Sequence, residues 1–232
     1  MHYIYFQHLV SEHQWTIDND EFQHIVKVLR HKEGDSLAML NGNGLKTTVV
    51  IDKIDKKSFS VKKLNTQIIA PSNPFLEIAV APTKNNARNE WFIEKAVELG
   101  VNKITFLFTQ NSERLKLNKE RLDKIAIAAI KQSKNCFLPQ FQITDWKNFI
   151  SIQHAATKLI AHCKEGNKLK FSKFEPSDKF LICIGPEGDF TKDEITEAER
   201  NGFTSIDLGN QILRTETAAL AASAFIKLTF AT

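Results

Sequence analysis

The chain has 232 residues, 42% of them hydrophobic and 25% charged, with a formal net charge of +4. That length and apolar content are enough for one large domain or two modest ones, each with its own core. No apolar run approaches the roughly 20 residues that span a bilayer, and no charged-then-apolar leader opens the chain, so the expectation is a cytoplasmic protein without a membrane partner.

The first element expected is a strand at Met1–Phe6. Asp20 to Arg30 follows with Phe22, Ile25, Val26 and Leu29 at helical spacing. Ser36–Leu40 and Lys46–Ile54 flank Asn41-Gly42-Asn43-Gly44, a strong hairpin signal, and Ser58–Leu64 adds another strand. Strands with one short helix predict a small β-barrel over residues 1–70. The tract Ala70-Pro71-Ser72-Asn73-Pro74 reads as the linker, within 71–75, because two prolines resist both helix and central strand.

From residue 76 to 232 strands and helices alternate. Strands are expected at Leu76–Ala81, Lys103–Phe108, Leu159–Cys163, Phe180–Ile184 and Ser205–Leu208. Helices are expected at Asn89–Leu99, stopped by Gly100, and after an Asn118 cap, with Leu122, Ile125, Ala126, Ala129 and Ile130 inward. Thr191-x-x-Glu194 is a capping box, Gly202 a C-terminal stop, and the last helix runs from about Thr215 to Thr229. This alternation predicts an α/β domain whose sheet is mostly parallel and covered on both faces.

Charge is unevenly spread. Residues 82–147 hold twelve Lys and Arg against seven Asp and Glu, whereas 148–232 hold ten against eleven. A basic middle suits an RNA-facing surface, and a solvated lysine-rich face accounts for it equally well. Cys136, Cys163 and Cys183 form no C-x-x-C pair, and two lie in apolar runs, so buried reduced thiols are expected. The seven histidines lack ligand spacing, and no metal is expected.

The chemistry is expected at two loops where an apolar run stops at glycine and a helical pattern follows. One is Ile184-Gly185-Pro186-Glu187-Gly188, the other Leu208-Gly209 through Ile212-Leu213-Arg214-Thr215. Ligands of open α/β sheets bind outside the carboxyl ends of strands. Glycines let backbone approach a ligand, Ile212 and Leu213 offer an apolar wall, and Arg214 a cation beside it. The dinucleotide, P-loop and nucleophile-elbow patterns are all absent.

These residues resemble the RsmE family of 16S ribosomal RNA uracil-N3 methyltransferases, in the SPOUT superfamily. The likeness rests on Gly185-Pro186-Glu187-Gly188 and on Leu208-Gly209 with Ile212-Leu213-Arg214-Thr215-Glu216-Thr217-Ala218. It extends upstream to His24–Arg30, to Glu90-Trp91 with Glu94–Val101, and to Lys124–Ala129 with Gln132-Ser133 and Pro139. Five ordered blocks are specific together, though each is weak alone. The resemblance implies a trefoil-knotted C-terminal domain, a PUA-like RNA-binding barrel at the N-terminus and a homodimer through the knotted domains. It also implies S-adenosylmethionine on the two loops, with Ile184, Thr215 and Ala218 among its contacts and His162 on a third wall. The substrate implied is 16S rRNA in the small subunit or its precursor, at the 1498 site.

Two departures from the family pattern stand out. Lys134-Asn135 replaces the usual Gly-Arg, leaving a charge at Lys134 without bidentate geometry. Asp189 stands where a second glycine is common. Arg214 is the candidate to stabilise a developing imide anion, with Glu216 or Thr217 orienting the base or relaying its proton; Glu216 is read equally well as a partner of the helix dipole. RNA contacts are expected from Lys27, Arg30, Lys84, Arg88, Arg114 and Lys134, each also readable as a solvated charge. Three other readings compete: methylation of another RNA atom such as a ribose hydroxyl, a non-catalytic assembly protein, and a small-molecule α/β enzyme with no RNA partner. Intact glycine loops argue against the second, and the β-rich N-terminal domain and basic middle against the third.

Overall fold

A computed structural model describes residues 1–9, 13–113, 116–151, 157–170 and 174–230. The chain divides into two compact units, residues 1–71 with 127–138, and residues 72–126 with 139–232.

The first unit is built on a five-stranded sheet. Its strands are β1 (His2–Tyr5), β2 (Gln14–Asp18), β3 (Ser36–Leu40), β4 (Leu45–Ile54) and β5 (Ser58–Ile68), in the order β1-β3-β4-β5-β2. Only β1 and β3 pair in parallel; the other pairs are antiparallel. Register shifts after Thr48 and after Ile51 mark irregularities in the β4–β5 ladder, the kind of bulge that bends a sheet. Ile4, Trp15, Ile17, Leu37, Met39 and Phe59 are among the buried residues of its hydrophobic core. The hairpin glycines are needed where they stand. Gly42 and Gly44 have φ of 73° and 85°, and a Cβ on Gly44 would sit 2.7 Å from the Ile69 carbonyl.

The helix expected at 20–30 takes a different form. It opens as α1 (Asn19–Phe22) and continues as a π-helical stretch over Gln23–Val28, which ends with Arg30 at φ 59°. Phe22 and Ile25 remain buried as the spacing requires, with Val26 and Leu29 packed beside them.

The second unit carries a seven-stranded sheet. Its strands are β6 (Phe75–Val80), β7 (Lys103–Phe108), β8 (Gln140–Asp145), β9 (Thr157–Ala161), β10 (Leu169–Lys170), β11 (Lys179–Ile184) and β12 (Thr204–Asp207). The order is β10-β12-β9-β11-β6-β7-β8 and every pair is parallel. β6, β7 and β11 read as near-continuous apolar runs because both faces are covered. Its helices are α2 (Asn86–Glu98), α4 (Trp146–Ile150), α5 (Lys192–Arg200) and α6 (Thr215–Phe230), together with the first half of α3 (Lys119–Ser133), whose residues from 127 belong to the first unit.

Local chemistry sets these helix ends. Asn85 accepts from the Ala87 amide and starts α2 three residues before the expected position. Asn118 Oδ1 accepts from the Arg121 amide and caps α3. Thr191 and Glu194 complete the capping box of α5. Gly100 and Gly202, at φ 75° and 80°, end α2 and α5.

Four elements escaped the sequence reading: β2, β8, the two-residue β10 and α4. The expected strand through Cys163 ends at Ala161, so Cys163 lies exposed in the next loop, while Cys136 and Cys183 are buried. All three are free thiols. No helix among the described residues is long and apolar enough to cross a membrane.

Candidate active site

Parallel pairing brings three strand ends to one level. Ile184 is in register with Ala161, and Ala161 with Ile206. The loops that leave β9, β11 and β12 therefore open at the same carboxyl edge, where α/β folds bind ligands. Between them lies a cavity of about 530 Å³, within the range of small-molecule sites.

The β11 loop is fixed from beneath. Ile184, Gly185, Pro186 and Glu187 line the cavity. A Cβ on Gly185 would meet the Phe190 ring at 3.0 Å and its amide nitrogen at 3.2 Å. This glycine is thus required by the packing of Phe190 under the loop, where the sequence pointed to ligand approach. Thr215 Oγ1 donates to the Gly185 carbonyl at 3.0 Å, a buried bond that ties the start of α6 to the loop. Gly188 is not part of the cavity wall. It faces Asn111, whose Nδ2 donates to the carbonyls of Gly188 and Asp189.

Asp189 occupies the left-handed region at φ 63°, a conformation that glycine adopts freely. Its carboxylate offsets the strain, since Oδ1 accepts from the Phe190 amide at 2.8 Å and Oδ2 from the Cys163 amide at 2.9 Å. The residue that departs from the family's glycine therefore clips the β11 loop to the β9 loop and also lines the cavity.

The β12 loop is open by contrast. Leu208, Gly209, Ile212, Leu213 and Arg214 line the cavity, and the wall continues into Thr215 and Ala218 of α6. Gly209 has φ 128° with nothing within 4 Å of where a Cβ would stand, and its amide is held by Asp207 Oδ1 at 3.0 Å. Here the backbone conformation alone demands glycine. Ile212 is 87% exposed, and Arg214 is exposed at the cavity wall.

The β9 loop supplies the third wall through His162, Cys163 and Lys168. Lys168 Nζ donates to the His162 carbonyl at 2.9 Å. His162 Nε2 lies 3.0 Å from Ser205 Oγ, and its Nδ1 is buried without a hydrogen-bond partner. Burial, then the nearby Lys168 charge, hold its imidazole below the ordinary histidine pKa.

The remaining candidates fall outside the cavity wall. Glu216 is buried beside α2, with Oε1 3.5 Å from Arg88 Nε and Oε2 without a hydrogen-bond partner. Arg88, expected to face RNA, is thus half-engaged with a buried carboxylate. Thr217 is exposed on α6. Lys84 is exposed and pairs with Glu113 at 3.1 Å. Lys27 is exposed with its ammonium 5.5 Å from the Phe22 ring centroid, and Arg30 is exposed at its left-handed position. Lys134, at φ 61°, places its ammonium 5.9 Å from the Tyr3 ring centroid within the first unit. Asn135 Oδ1 accepts from the Phe137 amide, a turn-forming use of the family's arginine position. Arg114 lies outside the described residues. Sequence reasoning missed Lys168, Asp189 and Ser205; the only signal for Asp189 was its departure from glycine.

A parallel sheet with ligand loops on β9, β11 and β12, beside a separate strand-rich unit, defines an RNA methyltransferase when set beside known proteins. A family profile described as an RNA methyltransferase domain matches residues 71–227, and one described as an RNA methyltransferase PUA domain matches residues 17–64. The ribosomal RNA small subunit methyltransferase E of Rickettsia conorii is 35% identical over 95% of this chain and 92% of its own length. A solved probable rRNA methyltransferase from Porphyromonas gingivalis is 35% identical and superposes with a TM-score of 0.91 over 98% of both chains. The ribosomal RNA small subunit methyltransferase E of Neisseria gonorrhoeae, solved bound to S-adenosylmethionine, is 25% identical with a TM-score of 0.87 over 100% of this chain and 98% of its own. The chain belongs to the ribosomal RNA small subunit methyltransferase E family.

Proposed function

We propose that this protein transfers the methyl group of S-adenosylmethionine to N3 of a uridine in 16S rRNA of the small subunit, at the family's 1498 site. The single observation that carries the reading is the cavity walled by the three aligned strand-end loops, on a chain that belongs to this family. Its fit to the donor rests on volume, on backbone-rich walls and on the buried, unpartnered Nδ1 of His162.

When bound, S-adenosylmethionine supplies a methyl carbon already activated by its sulfonium. The chain's own task is to hold the acceptor base and manage its proton. Ile184 and Gly185 on one side and Leu208, Gly209 and Leu213 on the other enclose the donor, with Pro186, Glu187 and Ile212 at the edges. Thr215 keeps the first loop in place through its bond to Gly185, and Ala218 leaves room under it. Positioning of this kind removes roughly 7–11 kcal/mol of a barrier. Arg214 stabilises the anion that develops as N3 loses its proton. Glu216, with one buried carboxylate oxygen lacking a hydrogen-bond partner, or Thr217 orients the base or relays its proton from behind the cavity wall, with Arg88 3.5 Å from Glu216 Oε1. The target uridine must be unpaired for N3 to reach the site.

Residues 1–70 act as the RNA-binding module, joined through residues 71–75 to the methyltransferase domain of residues 76–232. Lys27, Arg30 and Lys134 lie on the first unit and Lys84 on the second; Arg114 is kept as an RNA contact on its charge in the sequence. The working unit is a cytoplasmic homodimer formed through the second unit, whose surface exposes Ile212 at 87% and Leu228 at 83%. A trefoil knot in the second unit belongs to the same reading, and its support is the return of the chain after β12, on the far side of β9, to pack α6 on β11 and β6.

A methylation assay on small-subunit particles with labelled donor, followed by nucleoside analysis, tests the reading. N3-methyluridine is the expected product; a ribose methyl or no transfer at all would refute it.

A further inference from the structure

A three-residue chain of hydrogen bonds runs behind the cavity wall. Ser205 Oγ lies 2.8 Å from Glu199 Oε1 and 3.0 Å from His162 Nε2. Ser205 is buried, whereas Glu199 sits exposed near the end of α5. A carboxylate can only accept, so the single hydroxyl proton of Ser205 goes to Glu199. The Ser205 oxygen is then left as an acceptor toward His162, and Nε2 must carry the ring proton. A neutral imidazole has one such proton, which leaves Nδ1 as a bare lone pair. That nitrogen is buried and has no hydrogen-bond partner. An unsatisfied buried acceptor is costly, and such groups in native proteins call for a partner.

We propose that Glu199 and Ser205 are positioning residues that lock His162 in its Nε2–H form, so that Nδ1 accepts a hydrogen bond from an amino or hydroxyl group of the bound cofactor. This deepens the cofactor reading above and rests on it. His162 lines the cavity at the end of β9, so the lone pair belongs to a side chain of the binding wall. Adenosyl cofactors carry several N–H and O–H donors and fit such an acceptor. Three charged groups act on the ring, Lys168 opposing protonation and Asp189 and Glu199 favouring it; the uncharged Lys164 backbone also favours protonation, as a hydrogen-bond acceptor for the charged ring. Burial is the largest influence and keeps the ring neutral, the state in which Nδ1 can accept. Cofactor affinity should accordingly fall as pH drops below the ordinary histidine range and the imidazolium forms.

Long-range 15N–1H correlation spectra of the full chain, labelled at histidine, read the tautomer directly in the free protein. The expected pattern for His162 is a protonated Nε2 and a bare Nδ1, with Nδ1 shifting on addition of S-adenosylmethionine. Glu199→Ala frees the Ser205 proton to point at Nε2, so the Nδ1–H form should appear and calorimetric cofactor affinity fall several-fold. An exposed helix position makes that variant safe for folding, and Ser205→Ala provides a second removal of the relay. A predominant Nδ1–H form in the free wild-type protein would overturn the proposal whether or not the cofactor binds. Cofactor binding with Nδ1 unmoved would overturn its ligand half. Failure to bind with the tautomer as expected would instead strike the cofactor reading.

Discussion

The β11 and β12 loops both break a strand with glycine, yet they are held by opposite means. Around Gly185 the loop rests on Phe190, is bonded to Thr215 and is clipped through Asp189 to the β9 loop. Around Gly209 the backbone is set by φ 128° and one Asp207 bond, with open space beyond. The first loop is a preformed floor whose shape comes from the core. The second is a wall whose exposed Ile212 and Arg214 are available to ligand, substrate or a second subunit. Identical residue chemistry in the sequence thus serves rigidity in one loop and access in the other.

The largest effect that would sharpen this contrast belongs to the open loop. Arg214→Ala should lower turnover at least ~100-fold, the scale of losing one transition-state donor. Calorimetry should find its cofactor affinity within a few-fold of wild type. Full activity in this variant would remove Arg214 from the chemistry and leave the β12 loop a passive wall.

The two glycines should then separate by rescue. Gly185→Ala pushes a methyl against Phe190 and should cost about 1–3 kcal/mol in urea unfolding. Trimming the ring in the Gly185→Ala/Phe190→Leu double variant should recover part of that loss beyond additivity. Gly209→Ala should cost about 1–3 kcal/mol through backbone strain, with no partner substitution able to restore it. Equal rescue, or none, at both sites would erase the distinction between floor and wall.

A smaller effect lies at the far end of α6, the helix that Thr215 anchors to the floor. Lys227 is buried, and its ammonium donates to the Pro74 carbonyl at 2.8 Å, to Asn102 Oδ1 at 2.9 Å and to Ser72 Oγ at 3.4 Å. Burial lowers its pKa from 10.5 to about 8. Between pH 8 and 10.5 the unfolded chain binds more protons at this site than the folded one, so its contribution to stability rises with pH across that window. Below pH 8 both states are charged and the contribution is flat at its least favourable. Unfolding midpoints of wild type against Lys227→Met should diverge in slope within that window only. Parallel pH profiles would show that the buried ammonium keeps its ordinary pKa.

Much of the fold was legible because burial on both faces leaves a strong pattern. β6, β7 and β11 stand out as apolar runs, and Thr191 with Glu194 announces the start of α5. The misses have physical reasons. β2 and β8 are edge strands with alternating polar residues, whose identity depends on a neighbour distant in sequence. The π-helical stretch at Gln23–Val28 keeps the buried positions that an α-helix would give, so spacing cannot tell the two apart. That residues 127–138 join the first unit is a tertiary choice, made by contacts such as Lys131 with Glu21 and Gly44 with the Cys136 carbonyl.

The sequence by itself determined the strand–helix grammar, the two glycine loops and, through their ordered motifs, the family. Those features are local, because caps, turns and apolar periods act over a few residues. Only the tertiary structure decided that Gly185 answers to Phe190 and Gly209 to its own dihedral, that Asp189 joins two loops, and that Glu216 faces Arg88. It also brought Glu199 and Ser205 behind His162, from residues 37 and 43 positions away in the chain. Parallel pairing of β9, β11 and β12 creates those neighbours, and no local pattern records which strand lies beside which.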